Sequence, residues 1–203
     1  SISLIMRLPH RDPIQLGATA YEVFQEKEGI PSVTGFFIED LMDVEVEPWA
    51  RMGALGSYLN LGEQQETDAY ICEIPAHGVL KPQKHLFEET ILILDGAGKT
   101  EVWNEGGPKV TCNWQEGSLF AVPLNARHQH FNTGDKPARY LAVTDAPPVI
   151  DLFHNHDFIF NNDFVFTDRF NGQQDYFSGA GNLLDEKTWD TNFVPNVETF
   201  DLK

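Results

Sequence analysis

The chemistry this chain can do is concentrated in two short stretches. In the run around PQKHLFEETILI, Gln83, His85 and Glu89 fall on odd-numbered positions. Side chains of an extended strand alternate between its faces. These three polar groups therefore share one face, which Phe87, Ile91 and Ile93 continue. The opposite face takes Lys84, Leu86, Glu88, Thr90, Leu92 and Leu94. In HQHFN, His128, His130 and Asn132 share a face in the same way. An imidazole and a carboxylate on an otherwise apolar inward face need partners, because burying them unpaired is costly. When two such strands face each other inside a barrel, their polar groups converge. Imidazole plus carboxylate with coordination positions left open suits iron(II), manganese, nickel or zinc.

The elements that must position these groups are short strands. Candidates run over 43–47, 55–61, 69–74, 85–94, 99–103, 109–114, 118–122, 128–132 and 139–143, separated by the turn-rich clusters PAHG, DGAG, NEGGP, QEG and NTGDKP. Strands at this spacing predict an antiparallel sandwich or barrel. Before them, 18–28 reads as a helix with Tyr21 and Phe24 on one face, stopped by Gly29 and Pro31. After them, a helical turn at 149–155 leads into a tail that holds Phe153, Phe158, Phe160, Phe164, Phe166, Phe170, Phe177, Phe193 and Phe200 of the chain's 15 phenylalanines. So much aromatic surface predicts that the tail covers the barrel or a partner chain. The even spacing from Phe158 to Phe170 predicts an extended segment with one side on the barrel wall.

Composition narrows the function classes. Lys and Arg number 14 against 31 Asp and Glu, for a net charge of −17. Such a balance excludes nucleic acid, whose phosphates demand a basic face, and disfavours anionic membranes. No apolar run approaches the ~18 residues of a membrane-spanning helix. The first residues lack a basic stretch followed by a long apolar one, so the cytoplasm is the expected compartment. Cys72 and Cys112 lack CxxC spacing and read as small core residues rather than a disulfide pair. Phosphate-binding glycine loops and the GxSxG elbow of serine hydrolases are missing from the sequence.

With these residues in place, the sequence resembles the cupin superfamily. The first cupin motif appears as Gly78, Gln83-Lys84-His85, Glu89 and Gly96, the second as Gly117, Pro123, Asn125, His128 and Asn132. The resemblance implies an all-β fold, a cupin jelly-roll barrel at 43–146, with an N-terminal arm carrying a short helix at 1–42 and an aromatic-rich C-terminal tail at 147–203. Two positions depart from the pattern. Gln83 stands where the first histidine of the pair belongs, and Asn125 stands where the second motif has a glycine, a mild change because Asn also tolerates turn conformations. Segments EGIP (28–31), EPWARMG (47–53) and APPVIDLFHNHDFIF (146–160) further resemble the N-terminal half of bacterial two-cupin proteins related to gentisate-type ring-cleaving dioxygenases.

The resemblance implies a metal, iron(II) foremost and manganese, nickel or zinc otherwise, held by His85, Glu89 and His128, with Gln83 or His130 near a further position. It implies a small phenolic or enolic substrate, molecular oxygen as co-substrate, and carbon–carbon bond cleavage. It also implies a homo-oligomer or pairing with a second cupin chain. Isomerisation, decarboxylation and hydrolysis fit the same ligands, and a barrel that has lost its metal would be a non-catalytic small-molecule binder. Arg51, in a Pro/Gly-flanked segment ahead of the barrel, is a candidate clamp for a substrate carboxylate, against a plain salt bridge with one of many acids. His130 is either a replacement ligand or a hydrogen-bonding group beside the metal. His77, His154 and His156 read as surface residues, Arg127 and Arg139 as exterior ones. Phe87, Trp103 and Phe120 are candidates to line a pocket. Leu86, Leu92 and Leu94 are expected to pack beneath the N-terminal segment, the tail or a second subunit.

Overall fold

The computed structural model of the chain describes residues 17–62, 66–179 and 181–200; the start of the expected N-terminal arm, 1–16, lies outside them. Helix α1 (Ala20–Glu28) starts at Thr19, whose hydroxyl accepts from the Glu22 amide while the Glu22 carboxylate accepts from the Thr19 amide. This reciprocal capping satisfies donors that a helix start leaves bare. Gly29 ends it in the left-handed conformation, φ 68°.

Ten strands follow before the tail. They are β1 (Ser32–Gly35), β2 (Glu47–Trp49), β3 (Ala54–Leu61), β4 (Asp68–Ile74), β5 (Glu89–Asp95), β6 (Ala97–Trp103), β7 (Val110–Gln115), β8 (Leu119–Val122), β9 (Arg127–Asn132) and β10 (Ala138–Thr144). Helices α2 (Ala146–Phe153) and α3 (His156–Phe160) and the short strands β11 (Asn182–Leu183), β12 (Trp189–Asp190) and β13 (Phe193–Val194) complete the chain. One sheet runs β1-β3-β4-β10-β5-β8-β13 with β2 on β3; a second runs β7-β6-β9. Their inward positions, including Tyr58, Tyr70, Cys72, Ile91, Ile93, Cys112, Trp114, Phe120 and Tyr140, form one core. This is the expected all-β jelly roll with a short N-terminal helix. Both cysteines are free and buried, and burial pushes each thiol up to about 12.

Three expectations need correction. The expected strand over 43–47 does not form, and only Glu47 enters a ladder, as the start of β2; a single 3-10 turn (Leu41–Asp43) and an extended stretch lie over the outer face of the sheet, where Val44 packs on Leu59 and Ile71. Their carbonyls find a side chain instead of a ladder, because Arg139 donates to the oxygens of Leu41, Met42 and Val44 and pairs with Glu73 at 2.7 Å. Arg139 thus points outward from β10 yet is buried under this cover, whereas Arg127 stays half-exposed beside Glu105. Leu94 joins the same outer cluster as Val44, beneath the N-terminal segment.

The segment 85–88 is not part of a ladder; β5 begins at Glu89. The burial alternation survives, with Gln83, His85, Phe87 and Glu89 all buried.

The tail is not one extended strand. Helix α3 interrupts it, so Phe160 and Phe170 are buried while Phe158 and Phe164 are exposed. Farther on, Phe193 pairs with Phe120 of β8, and the Ser118 hydroxyl donates to the Pro195 carbonyl. The tail therefore extends the sheet and closes one end of the core, where Phe177 meets Phe120 edge-on at 6.2 Å.

Candidate metal centre

The two motif strands meet through an isolated antiparallel bridge between Gln83 and His128, each backbone amide donating to the other's carbonyl at 2.8 and 2.9 Å. That bridge brings His85 and Glu89 beside His128. The turn ahead of β9 needs positive φ at Asn125 (56°), a conformation that Asn tolerates better than most residues. Its side-chain amide donates to the carbonyls of Asn162 and Phe164, so this departure from the glycine pattern also anchors the tail.

His85, Glu89 and His128 are buried, and each offers a ligand atom within 4.8 Å of the others. Nδ1 of His85 lies 2.9 Å from the Phe87 carbonyl, and Nδ1 of His128 lies 3.4 Å from the Ala126 carbonyl. A carbonyl only accepts, so each Nδ1 carries the hydrogen and each Nε2 is left to present its lone pair. Both Nε2 atoms converge on one oxygen of Glu89, at 2.9 Å from His85 and 3.6 Å from His128. The other Glu89 oxygen accepts from the Tyr70 hydroxyl. Phe87 backs the site, stacked on the His85 ring at 3.8 Å.

The electrostatics match this geometry. Burial alone would raise the Glu89 pKa, but its contacts with His85, His128 and the Tyr70 hydroxyl hold it well below the usual carboxylate range. Burial and the neighbouring His85 push His128 down to about 3. An ionised carboxylate facing a neutral imidazole is the protonation state that a divalent cation requires.

His130 sits one step deeper on the same strand face, its ring 5.5 Å from that of His128. Its Nδ1 lies 2.7 Å from the Thr100 hydroxyl, which accepts from the Trp114 indole N–H at 2.9 Å. Thr100 still has its own hydrogen to give to Nδ1, and in that tautomer the ring's hydrogen sits on Nε2. That Nε2 has no partner among the described residues. In that tautomer His130 offers an N–H donor rather than a lone pair. Burial pushes its pKa down to about 4, so it stays neutral.

Gln83 has its amide engaged elsewhere. Its oxygen accepts from Arg51 Nη1 at 2.9 Å, and its nitrogen donates to the carbonyls of Arg51 and Lys81. Arg51 also pairs with Glu28 at 2.6 Å and lies against the faces of Trp49, Phe24 and Phe160. Burial opposes its charge, but the Glu28 carboxylate, by charge and hydrogen bond, holds the guanidinium protonated. His77, His154 and His156 are exposed. Phe120 reaches the interior near His130, whereas Trp103 lies half-buried against Lys109. The sequence reading missed Tyr70, Thr100, Trp114 and Glu28, although polar groups on apolar strand faces signal the first two.

Residues 70–144 match the family described as Cupin domain. Together with the jelly-roll sheets and the His/Glu/His cluster, this match supports the cupin superfamily for that stretch of the chain. Among solved structures it is similar to the oxalate decarboxylase of Lactobacillus farciminis in a formate complex, at 25% identity and a TM-score of 0.46, covering 53% of this chain and 32% of that one. It is also similar to a variant of the Bacillus subtilis oxalate decarboxylase (16% identity, TM-score 0.44, 51% and 28% covered). The coconut allergen cocosin is a third (22%, 0.42, 49% and 31%). The chain thus spans about a third or less of the length of these relatives. No curated protein matches. Among the described residues no helix is long and apolar enough to cross a membrane.

Proposed function

We propose that this cupin is a metal-dependent oxygenase acting on a small phenolic or enolic substrate. The observation that carries the metal is the convergence of two imidazole Nε2 atoms, each with Nδ1 anchored on a carbonyl, on a single Glu89 oxygen. His85, Glu89 and His128 would hold the ion, iron(II) foremost, with manganese, nickel or zinc also suited to this donor set. When bound, such an ion supplies Lewis acidity toward substrate oxygens and a route for molecular oxygen to react with an electron-rich carbon.

The chain's own residues do the rest. Tyr70 orients Glu89 through its second oxygen. His130, held by Thr100 and Trp114, points a hydrogen-bond donor into the interior, where it stabilises negative charge on a substrate oxygen. Arg51 supplies a fixed positive charge for an acidic substrate group, with Gln83 and Glu28 holding its orientation. The dioxygenase chemistry rests on the resemblance to gentisate-type proteins; the same ligands serve isomerisation, decarboxylation or hydrolysis. Pairing with a second cupin barrel or a second copy, in the cytoplasm, fits this reading, and exposed Phe153, Phe158 and Phe164 support it.

The test is elemental analysis of anaerobically purified protein followed by oxygen uptake with catechols, gentisate, salicylate and β-diketones. One transition metal per chain and substrate-dependent uptake are expected. Metal-free protein, or metal without oxygen uptake on any of these, would overturn the oxygenase reading.

A further inference from the structure

Asp68 is a buried acid that the metal centre does not use. It opens β4 on the inward face that continues through Tyr70 and Cys72, and it is only 5% exposed. Its Oδ1 has no hydrogen-bond partner among the described residues. The strand registers place it in a row with the site: Asp68 pairs with Thr144 of β10, and Thr144 pairs on its other side with Glu89. Two steps of about 4.8 Å separate the Asp68 and Glu89 backbones, with both side chains turned inward.

The other side of Asp68 leads outward. The Tyr21 hydroxyl of α1 lies beside its carboxylate, each group perturbing the other. That hydroxyl accepts from Gln25 Nε2 at 2.9 Å, leaving its own hydrogen for Asp68. Gln25 also bonds Asn60, and Tyr21, Gln25 and Asn60 line a surface cleft of about 280 Å³. Asp151 of α2 holds the Tyr21 amide at 2.8 Å, which fixes the helix over the barrel end.

We propose that Asp68 is the acid–base group of the barrel interior: Oδ1 takes the hydroxyl proton of a phenol or enol bound at the His85–Glu89–His128 centre and exchanges it with solvent by way of Tyr21. The inference rests on the metal-site reading and adds to it a requirement that the ligand carry an ionisable O–H. The step balances. The substrate O–H bond breaks, its electron pair stays on oxygen, and the proton forms an O–H bond on the Asp68 carboxylate.

The surroundings suit this role. Burial pushes Asp68 up to about 7, with Glu89 adding to the rise and Tyr21, the Ala69 amide and Arg51 opposing it. Tyr58 on β3 also faces it, its own pKa raised by burial so that it stays protonated. An acid poised near neutrality exchanges a proton in either direction.

The experiment uses full-length protein loaded with iron(II) and 4-nitrocatechol, whose ionisation changes its absorption. Wild type is expected to bind the doubly ionised probe near neutral pH. Asp68→Asn is expected to bind it about tenfold to a hundredfold more weakly, or singly ionised, with metal content unchanged. Tyr21→Phe is expected to bind the ionised probe but to exchange its proton more slowly. Identical affinity and ionisation in wild type and Asp68→Asn would overturn the proposal while leaving the metal site intact. Loss of metal or of probe binding in wild type itself would overturn the phenolic reading instead. Where wild type does bind the probe, carbon-13 NMR of labelled carboxylates adds a second check: titration of Asp68 near neutrality agrees with the proposal, and titration in the ordinary carboxylate range overturns it.

Discussion

Arg51 and Gln83 are joined by a 2.9 Å hydrogen bond from Nη1 to Oε1, which ties the turn before β3 to the first metal-motif position. The residue that replaces a histidine in the motif therefore serves to aim a cation. Gln83→Ala should keep a full complement of metal and destabilise the fold by about 1–3 kcal/mol, the range for a hydrogen bond to a charged group. Elemental analysis and a urea melt check this; loss of metal would instead make Gln83 a ligand.

His85→Ala removes one of the two imidazoles that meet on Glu89 and should abolish most metal binding. The jelly roll should still form, because its core is a separate apolar cluster around Ile91, Trp114 and Tyr140. Circular dichroism and metal content, read together, check the outcome. Full occupancy in this variant would refute the ligand set.

Acid should release the metal and weaken the fold together. His128 has a folded pKa lowered to about 3, against about 6.5 in an unfolded chain. Its contribution to stability is therefore complete above about pH 6.5 and is lost as the pH falls through about 3. Glu89, also depressed, acts in the same direction at lower pH. Dialysis against a chelator at graded pH, with melts in parallel, should show both declines.

Asp68 contributes with the opposite sign. Its folded pKa is raised to about 7 from 3.8, so its stabilisation is present below the unfolded value and is lost as pH rises through about 7. Asp68→Asn keeps an oxygen for Tyr21 and removes that penalty, and should stabilise the metal-free protein by up to a few kcal/mol at about pH 8. Little difference is expected at about pH 4, where the native acid is protonated as well. Melts of the two proteins at both pH values test the sign.

The tail should prove structural. Phe170 is buried against Val102, Val110 and Ala126, and Phe170→Ala should cost about 3–5 kcal/mol. Truncation at Pro147 would expose that surface together with the β8 edge that Phe193 covers, and should yield insoluble protein. A clean monomer of the truncated chain by light scattering would show that the tail covers nothing the barrel needs.

Much of the site was legible because strand geometry is local. A period of two puts Gln83, His85 and Glu89 on one face and His128, His130 and Asn132 on another without any knowledge of the fold. Motif spacing then implied that the two faces meet. What each group does once there depended on partners far along the chain. Gln83 is engaged by Arg51, Glu89 by Tyr70 and His130 by Thr100, which is itself engaged by Trp114. The same holds for the stretch around Val44, whose alternating pattern reads as a strand until Arg139 satisfies its carbonyls. The sequence by itself determined which faces turn inward, since alternation is a property of the backbone. The tertiary structure alone decided which polar atoms are matched and which stay open to a ligand, because hydrogen bonds across a barrel join residues that only its closure brings together.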